Sequence, residues 1–215
     1  MGFLAKIREQ YAVHQVSAAL QDIGDMDQMF QHALGTSSVN LIDFVGVVHD
    51  TLDRAGVPFA IAGALALAAH GTPRQTTDLD IVVFASDAPK VAKALGEAGF
   101  NSRGVDDYNG GRVRIHKFDL QKREIDVLDY PSNRDFLTYL LDTAAEHELL
   151  PGKRFKFVSP EGLVVTKLIP LRRKDQMDID SLKKTKTLDL DLIKSWCIAF
   201  KMIDRYSFVK QAPID

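Results

Sequence analysis

With 215 residues and 46% hydrophobic content, the chain is long enough to bury a real core and predicts one compact α/β unit with helical additions. A net charge of −2 excludes a global positive field that would recruit nucleic acid, the single Cys197 excludes an internal disulfide, and six histidines without a cysteine partner or paired helical spacing argue against a zinc site. No apolar run reaches the length of a membrane span, Lys6 stands where a myristoylation signal has Ser or Thr, and no signal-peptide pattern follows Met1, so a soluble cytoplasmic protein is expected.

Residues 3–34 carry helical spacing through Phe3, Ile7, Tyr11, Val16 and Leu20, then Met26, Phe30 and Leu34. Thr36, Ser37 and Ser38 interrupt it. A second helix is predicted from Asn40 to Arg54, with Leu41, Phe44, Val45, Val48 and Leu52 on one face.

The segment from Val57 to Val83 carries the chemistry. Pro58 to Ala62 reads as a buried strand, Gly63 as a tight turn, and Ala64 to His70 as a small-residue helix. A helix N-terminus exposes unpaired N–H groups that attract phosphate, and Gly63 with Ala64 lets a ligand approach the backbone closely. Asp78 and Asp80 then head a second apolar run. Successive strand side chains alternate between faces, so the two carboxylates share one face while Leu79, Ile81 and Val83 share the other. Such a pair is a cradle for a hard divalent cation, Mg²⁺ or Mn²⁺. The alternative is a pair of aspartates fraying a strand end. Arg74 lies on the loop before them, where a guanidinium pairs with phosphate or holds a carboxylate in place.

PKVAKALGEAGF predicts a helix ending near Gly99, and Gly104 to Gly111 a polar loop. RVRIHKF and REIDVLDY alternate around a polar turn at Asp119, Gln121 and Lys122 and predict a hairpin. Asp126 stands between Ile125 and Val127, an apolar setting that is costly for a carboxylate unless a cation or donor meets it, which marks a third metal ligand or a general base. Asp129 is the competing candidate on the opposite face. The basic residues Arg112, Arg114, Lys117, Lys122 and Arg123 along the hairpin read as a solvated face, as do Lys183, Lys184 and Lys186.

Residues 131–215 are predicted to be mostly helical. Ser159 is an N-cap, Pro160 sits at the first helical position and Glu161 in the first turn. Lys167, Arg172, Lys174, Asp175 and Asp178 follow, with Pro170 ending or kinking the first helix. These charges form either a salt-bridged solvated face or part of a site. SWCIAF near the C-terminus places Trp196 and an inert Cys197 in the core.

The order Gly63-Ala64, Asp78-Leu79-Asp80 after a helix, and Asp126 on a later strand resembles the nucleotidyltransferase superfamily typified by DNA polymerase β. The pattern Arg-x-Thr-x-Asp at Arg74, Thr76 and Asp78 and the run Lys167, Arg172-Arg173-Lys174-Asp175, Asp178 resemble the small bacterial abortive-infection and toxin–antitoxin nucleotidyltransferases. This resemblance, covering roughly residues 57–185, implies an α+β fold, a small mixed sheet flanked by helices with its core over 57–130; the N-terminal helices over 1–56 and the tail of the C-terminal helical region over 131–215 rest on the residue pattern alone. The resemblance implies Asp78, Asp80 and Asp126 as Mg²⁺ or Mn²⁺ ligands, Lys167 near the phosphates, and Gly63, Ala64, Arg74, Thr77, Arg172 and Asp175 as further nucleotide contacts. Ala64 departs from the pattern, where Gly or Ser is usual. The activity implied is transfer of a nucleoside monophosphate from an NTP to a hydroxyl or phosphate acceptor, RNA or protein among them, with a cognate antitoxin or a second copy as partner. The competing expectations are a nucleotide-binding or protein-interaction module of the same fold without turnover, and an oligomerising protein whose aspartates are incidental.

Overall fold

Asn40 starts the first long helix by accepting a hydrogen bond from the Ile42 amide through its side chain, as an N-cap does. Helix α1 (Leu41–Arg54) buries Leu41, Phe44, Val45, Val48 and Leu52 on the predicted face. The computed structural model describes residues 18–22, 24–25, 40–108, 110–150 and 152–211. Most of the helical spacing over residues 3–34 and the tail at Pro213 fall outside the described residues.

After α1 the chain runs through β1 (Phe59–Ile61), α2 (Gly63–Ala69), β2 (Asp78–Val83), α3 (Ala88–Glu97), β3 (Asn101–Tyr108), β4 (Val113–Leu120) and β5 (Arg123–Asp129). It continues through α4 (Arg134–Asp142), β6 (Ala145–Leu150), β7 (Lys153–Phe157), α5 (Pro160–Leu168), α6 (Arg173–Thr185), α7 (Leu190–Ala199) and a short α8 (Tyr206–Lys210). The strands form one mixed sheet in the order β3-β4-β5-β2-β1-β7-β6. β2 lies parallel to β5 and antiparallel to β1, and β1 lies parallel to β7. This is the α+β architecture expected, a mixed sheet flanked by helices.

Two parts of the sheet differ from the sequence expectation. Gly104 to Gly111 is not a polar loop: most of it lies in β3, which pairs with β4 from Asn101↔Asp119 to Tyr108↔Val113. Every residue of β3 is exposed, so this edge strand is held by main-chain pairing and carries no apolar face for a pattern to show. Its charges and the irregularity between Ser102 and Gly104 blunt the edge against further pairing. Residues 131–215 also contain the β6–β7 hairpin, and β7 joins the sheet beside β1. Its short, highly charged strands EHEL and KRFK hide the period of two.

Gln121 and Lys122 both take positive φ and form the tight turn between β4 and β5 expected of a hairpin. The face of the sheet that carries Leu79, Ile81, Ile125 and Val127 is fully buried. Behind it Phe136 of α4 meets Tyr130, Trp196 and Phe200 edge to face at 5.0–5.1 Å, and Cys197 is buried, its thiol pushed up to about 11 by burial. The basic hairpin is not a solvated face throughout. Arg123 is 1% exposed and donates to the Thr77 carbonyl at 3.5 Å, while Arg114 forks onto Asp129.

Candidate active site

Strand alternation and the parallel register of β2 with β5 fix the site. Asp80 stands opposite Asp126 and Asp78 opposite Glu124, so Asp78, Asp80 and Asp126 lie on one face of neighbouring strands. That face opens onto a cavity of about 220 Å³ lined by Ala62, Gly63, the three aspartates, Ile115, Lys117 and Leu128 of the sheet, Tyr108 at the end of β3, and Arg74, Lys167, Arg172, Lys174 and Asp175 opposite. Carboxylates form the floor and cations much of the facing wall.

Gly63 explains itself by contact. It has φ of +57°, and a Cβ built there would lie 1.8 Å from Oδ2 of Asp80, so only glycine lets that carboxylate lodge against the β1–α2 turn. Burial, then Asp78 and Asp126, pushes the Asp80 carboxyl up to about 7. Asp126 is also raised, by burial first, with Lys117 pulling the other way. Lys117 donates to Asp106 of β3 at 2.7 Å. The Thr76 hydroxyl bonds to Oδ1 of Asp78. Each carboxylate is thus turned to its own surroundings, and among the described residues no three acidic, histidine or cysteine side chains stand close enough together to hold a metal ion at once. The donor set nevertheless suits a hard divalent cation: carboxylate oxygens on one face, their charge disfavoured first by burial and then by one another at Asp80, in a cleft open to a ligand.

Asp129 belongs elsewhere. It is 0% exposed, on the opposite face of β5, where it accepts from Arg114 at 3.1 and 3.2 Å and meets Nε2 of His116 at 2.8 Å.

The remaining sequence candidates separate into cleft residues and supports. Lys167 is 6% exposed and lines the cleft, yet its ammonium already donates to Oδ2 of Asp178 at 2.5 Å and lies 4.0 Å from Asp175. Arg74 donates through Nε to Oδ1 of Asp178 at 2.9 Å and through Nη1 to the Gln75 carbonyl. Asp175 accepts from the Arg172 amide at 3.0 Å and from its Nε at 2.8 Å, closing the first turn of α6, and this bond holds the Arg172 guanidinium pKa above its usual value. Ala64 is 2% exposed and packs into the core, and Thr77 is exposed and outside the cleft lining. Lys117, read from sequence as part of a solvated face, and Tyr108, read as part of a polar loop, line the cleft instead, and Asp178 holds two of its cations. Lys117 had a signal, since it pairs in register with Asp126 across the hairpin.

A mixed sheet carrying Asp-x-Asp on one strand and a third aspartate on its parallel neighbour, beside a glycine turn into a helix, defines the fold of the nucleotidyltransferase superfamily. The family model of aminoglycoside-2''-adenylyltransferases matches residues 45–164, more than half of the chain, and the chain belongs to that family. Among solved structures it is similar to the antibiotic-resistance factor ANT(2'')-Ia in solution, with 13% identity and a TM-score of 0.53 over 77% of this chain and 92% of that one. It is also similar to the crystal structure of ANT(2'')-Ia in complex with adenylyl-2''-tobramycin, with 14% identity and a TM-score of 0.51 over 77% and 98%. At these identities the likeness shows the fold alone. No protein of curated function matches the chain in sequence. Among the described residues no helix is long and apolar enough to cross a membrane.

Proposed function

We propose that the protein is a nucleotidyltransferase that moves the nucleoside monophosphate of an NTP, ATP by the family's description, onto a hydroxyl of an acceptor. The observation that carries this reading is the placement of Asp78, Asp80 and Asp126 on one sheet face, opposite Arg74, Lys167, Arg172 and Lys174 in one cleft. The acceptor oxygen attacks the α-phosphorus, the bond to the pyrophosphate breaks, and the hydroxyl proton leaves through the carboxylate floor. Asp78, Asp80 and Asp126 would hold a divalent cation, Mg²⁺ or Mn²⁺, which when bound would supply charge neutralisation for the leaving pyrophosphate and acidify the hydroxyl. Arg74, Lys167 and Lys174 hold the phosphates in line, so that the protein contributes positioning and fixed charge, the main requirements of phosphoryl-type transfer. Asp126, which lines the cleft beside Asp80, takes the acceptor proton.

The family's description points to an aminoglycoside-type acceptor. RNA or protein acceptors, and with them a toxin-type role with a cognate antitoxin, form a second arm of the same test. Purified protein with α-labelled NTPs, Mg²⁺ and three acceptor panels (amino sugars, total RNA, cell protein) is expected to label one panel and to lose that labelling in Asp80→Ala. Nucleotide binding without transfer to any panel would instead make the chain a binding module, the reading that Ala64 at the family's Gly or Ser position favours.

A further inference from the structure

We propose that Asp178 is a positioning residue that stands behind the cleft wall and aims Arg74 and Lys167 at the nucleotide phosphates, an inference that rests on the nucleotide-binding reading above. Arg74 and Lys167 line the cleft, whereas Asp178 does not. It is 5% exposed on α6, and its two oxygens are divided between two cations from two other elements. Oδ1 accepts from Arg74 Nε at 2.9 Å, and Oδ2 from Lys167 Nζ at 2.5 Å. Arg74 stands 104 residues away on the loop that feeds β2, and Lys167 is 11 residues away on α5.

One carboxylate thus fixes two long, rotamer-rich side chains at once. An ammonium has three donors and a guanidinium five. Asp178 takes one of each and the Gln75 carbonyl one more of Arg74, Asp175 lies 4.0 Å from the ammonium, and the remaining donors of both groups are available to a ligand in the cleft. A cluster kept for stability alone is a poor use of buried charge, because apolar residues of similar volume serve as well or better. The same geometry excludes Asp178 from proton transfer: both oxygens are engaged and the group lies outside the cleft, so it acts only through the cations it holds.

The test is isothermal titration of Mg–ATP and of AMP against the full chain, with folding checked by circular dichroism. Asp178→Asn is expected to weaken Mg–ATP about 10–100-fold, the range seen when a group behind a ligating residue is removed, and to leave AMP affinity unchanged, since the cations serve the outer phosphates. Asp178→Glu, which keeps the charge, is expected to restore part of the loss. In a Lys167→Met background Asp178→Asn is expected to cost much less than in the wild type, because part of its effect runs through Lys167. This neutral double variant also supplies the comparison if the single one fails to fold. Equal losses for ATP and AMP, full additivity with Lys167→Met, or an unchanged ATP affinity in Asp178→Asn would each overturn the assignment while leaving the function intact. A wild-type protein that binds no Mg–ATP would overturn the reading of function and this inference with it.

Discussion

Replacing Asp80 by asparagine is expected to stabilise the protein in the absence of divalent cations while abolishing nucleotidyl transfer. The Asp80 carboxyl titrates at about 7 in the folded chain against 3.8 as the ordinary value, because burial, Asp78 and Asp126 all disfavour its charge. Between these two pH values the folded chain holds a proton that the unfolded chain has released, so ionisation of Asp80 opposes folding. The opposition is fully developed above about pH 7 and vanishes as pH falls toward 3.8. At about 1.4 kcal/mol per pH unit, the difference of about three units sets a ceiling of about 4 kcal/mol. The side chain keeps part of its surface open to the cleft, and solvent screening there reduces this to about 1–2 kcal/mol. For a chain of this length that is ~2–8 °C in Tm. Thermal melts in EDTA at pH 8 and pH 5 measure it: Asp80→Asn melts higher at pH 8, and the gain shrinks at pH 5. With Mg–ATP added, the wild type gains stability because ligand binds the native state, and the variant does not. A variant that melts lower than the wild type at pH 8 in EDTA would show instead that the carboxylate is held by favourable partners, not disfavoured by burial and like charges.

Gly63→Ala would place a methyl group within 1.8 Å of the Asp80 carboxylate at a φ of +57°, so it is expected to lose Mg–ATP binding in titration calorimetry together with several degrees of Tm. Asp129→Asn breaks the buried cluster with Arg114 and His116 on the other side of the sheet and is expected to cost about 3 kcal/mol in urea unfolding, with KM for ATP unchanged in the folded fraction. Asp126→Asn should do the reverse, losing transfer with little loss of stability. His70 is buried, donating to the Val158 carbonyl at 2.7 Å, and burial lowers its pKa. Below about pH 6.5 the unfolded chain takes up a proton that the folded chain refuses, so stability falls with acid, and His70→Gln should flatten the fall in urea midpoint between pH 7 and pH 5.

Local patterns carried the sequence reading where side chains decide the structure. Asp78 and Asp80 declared their shared face by strand alternation, the five apolar residues of α1 declared theirs by helical spacing, and Ser159-Pro160 marked the start of α5 correctly. The reading failed where partners are remote or the main chain does the work. β3 has no buried face, so nothing in its composition distinguishes it from a loop, and it is held as a strand by main-chain pairing with β4 and by cross-strand pairs such as Lys117–Asp106 and Arg103–Asp119. The β6–β7 hairpin is short and rich in charge, and only Phe155 and Phe157 mark the buried side of β7. Lys167 in an apolar stretch signalled a buried ammonium but not its partner, since Asp178 is one of several acids nearby and its second cation, Arg74, comes from the loop before β2, 104 residues away in the chain. Gly63 was legible as a turn, whereas its contact with Asp80 needed the register of β1 against β2.

In the proposed reaction Asp78, Asp80 and Asp126 jointly hold the divalent cation of a nucleotide complex. A crystal grown with Mn²⁺ and a non-hydrolysable ATP analogue measures this directly through anomalous scattering. A manganese peak is expected in the cleft within coordinating distance of all three carboxylates and of the triphosphate. Manganese bound to the triphosphate alone, or a nucleotide seated away from these strands, would contradict it.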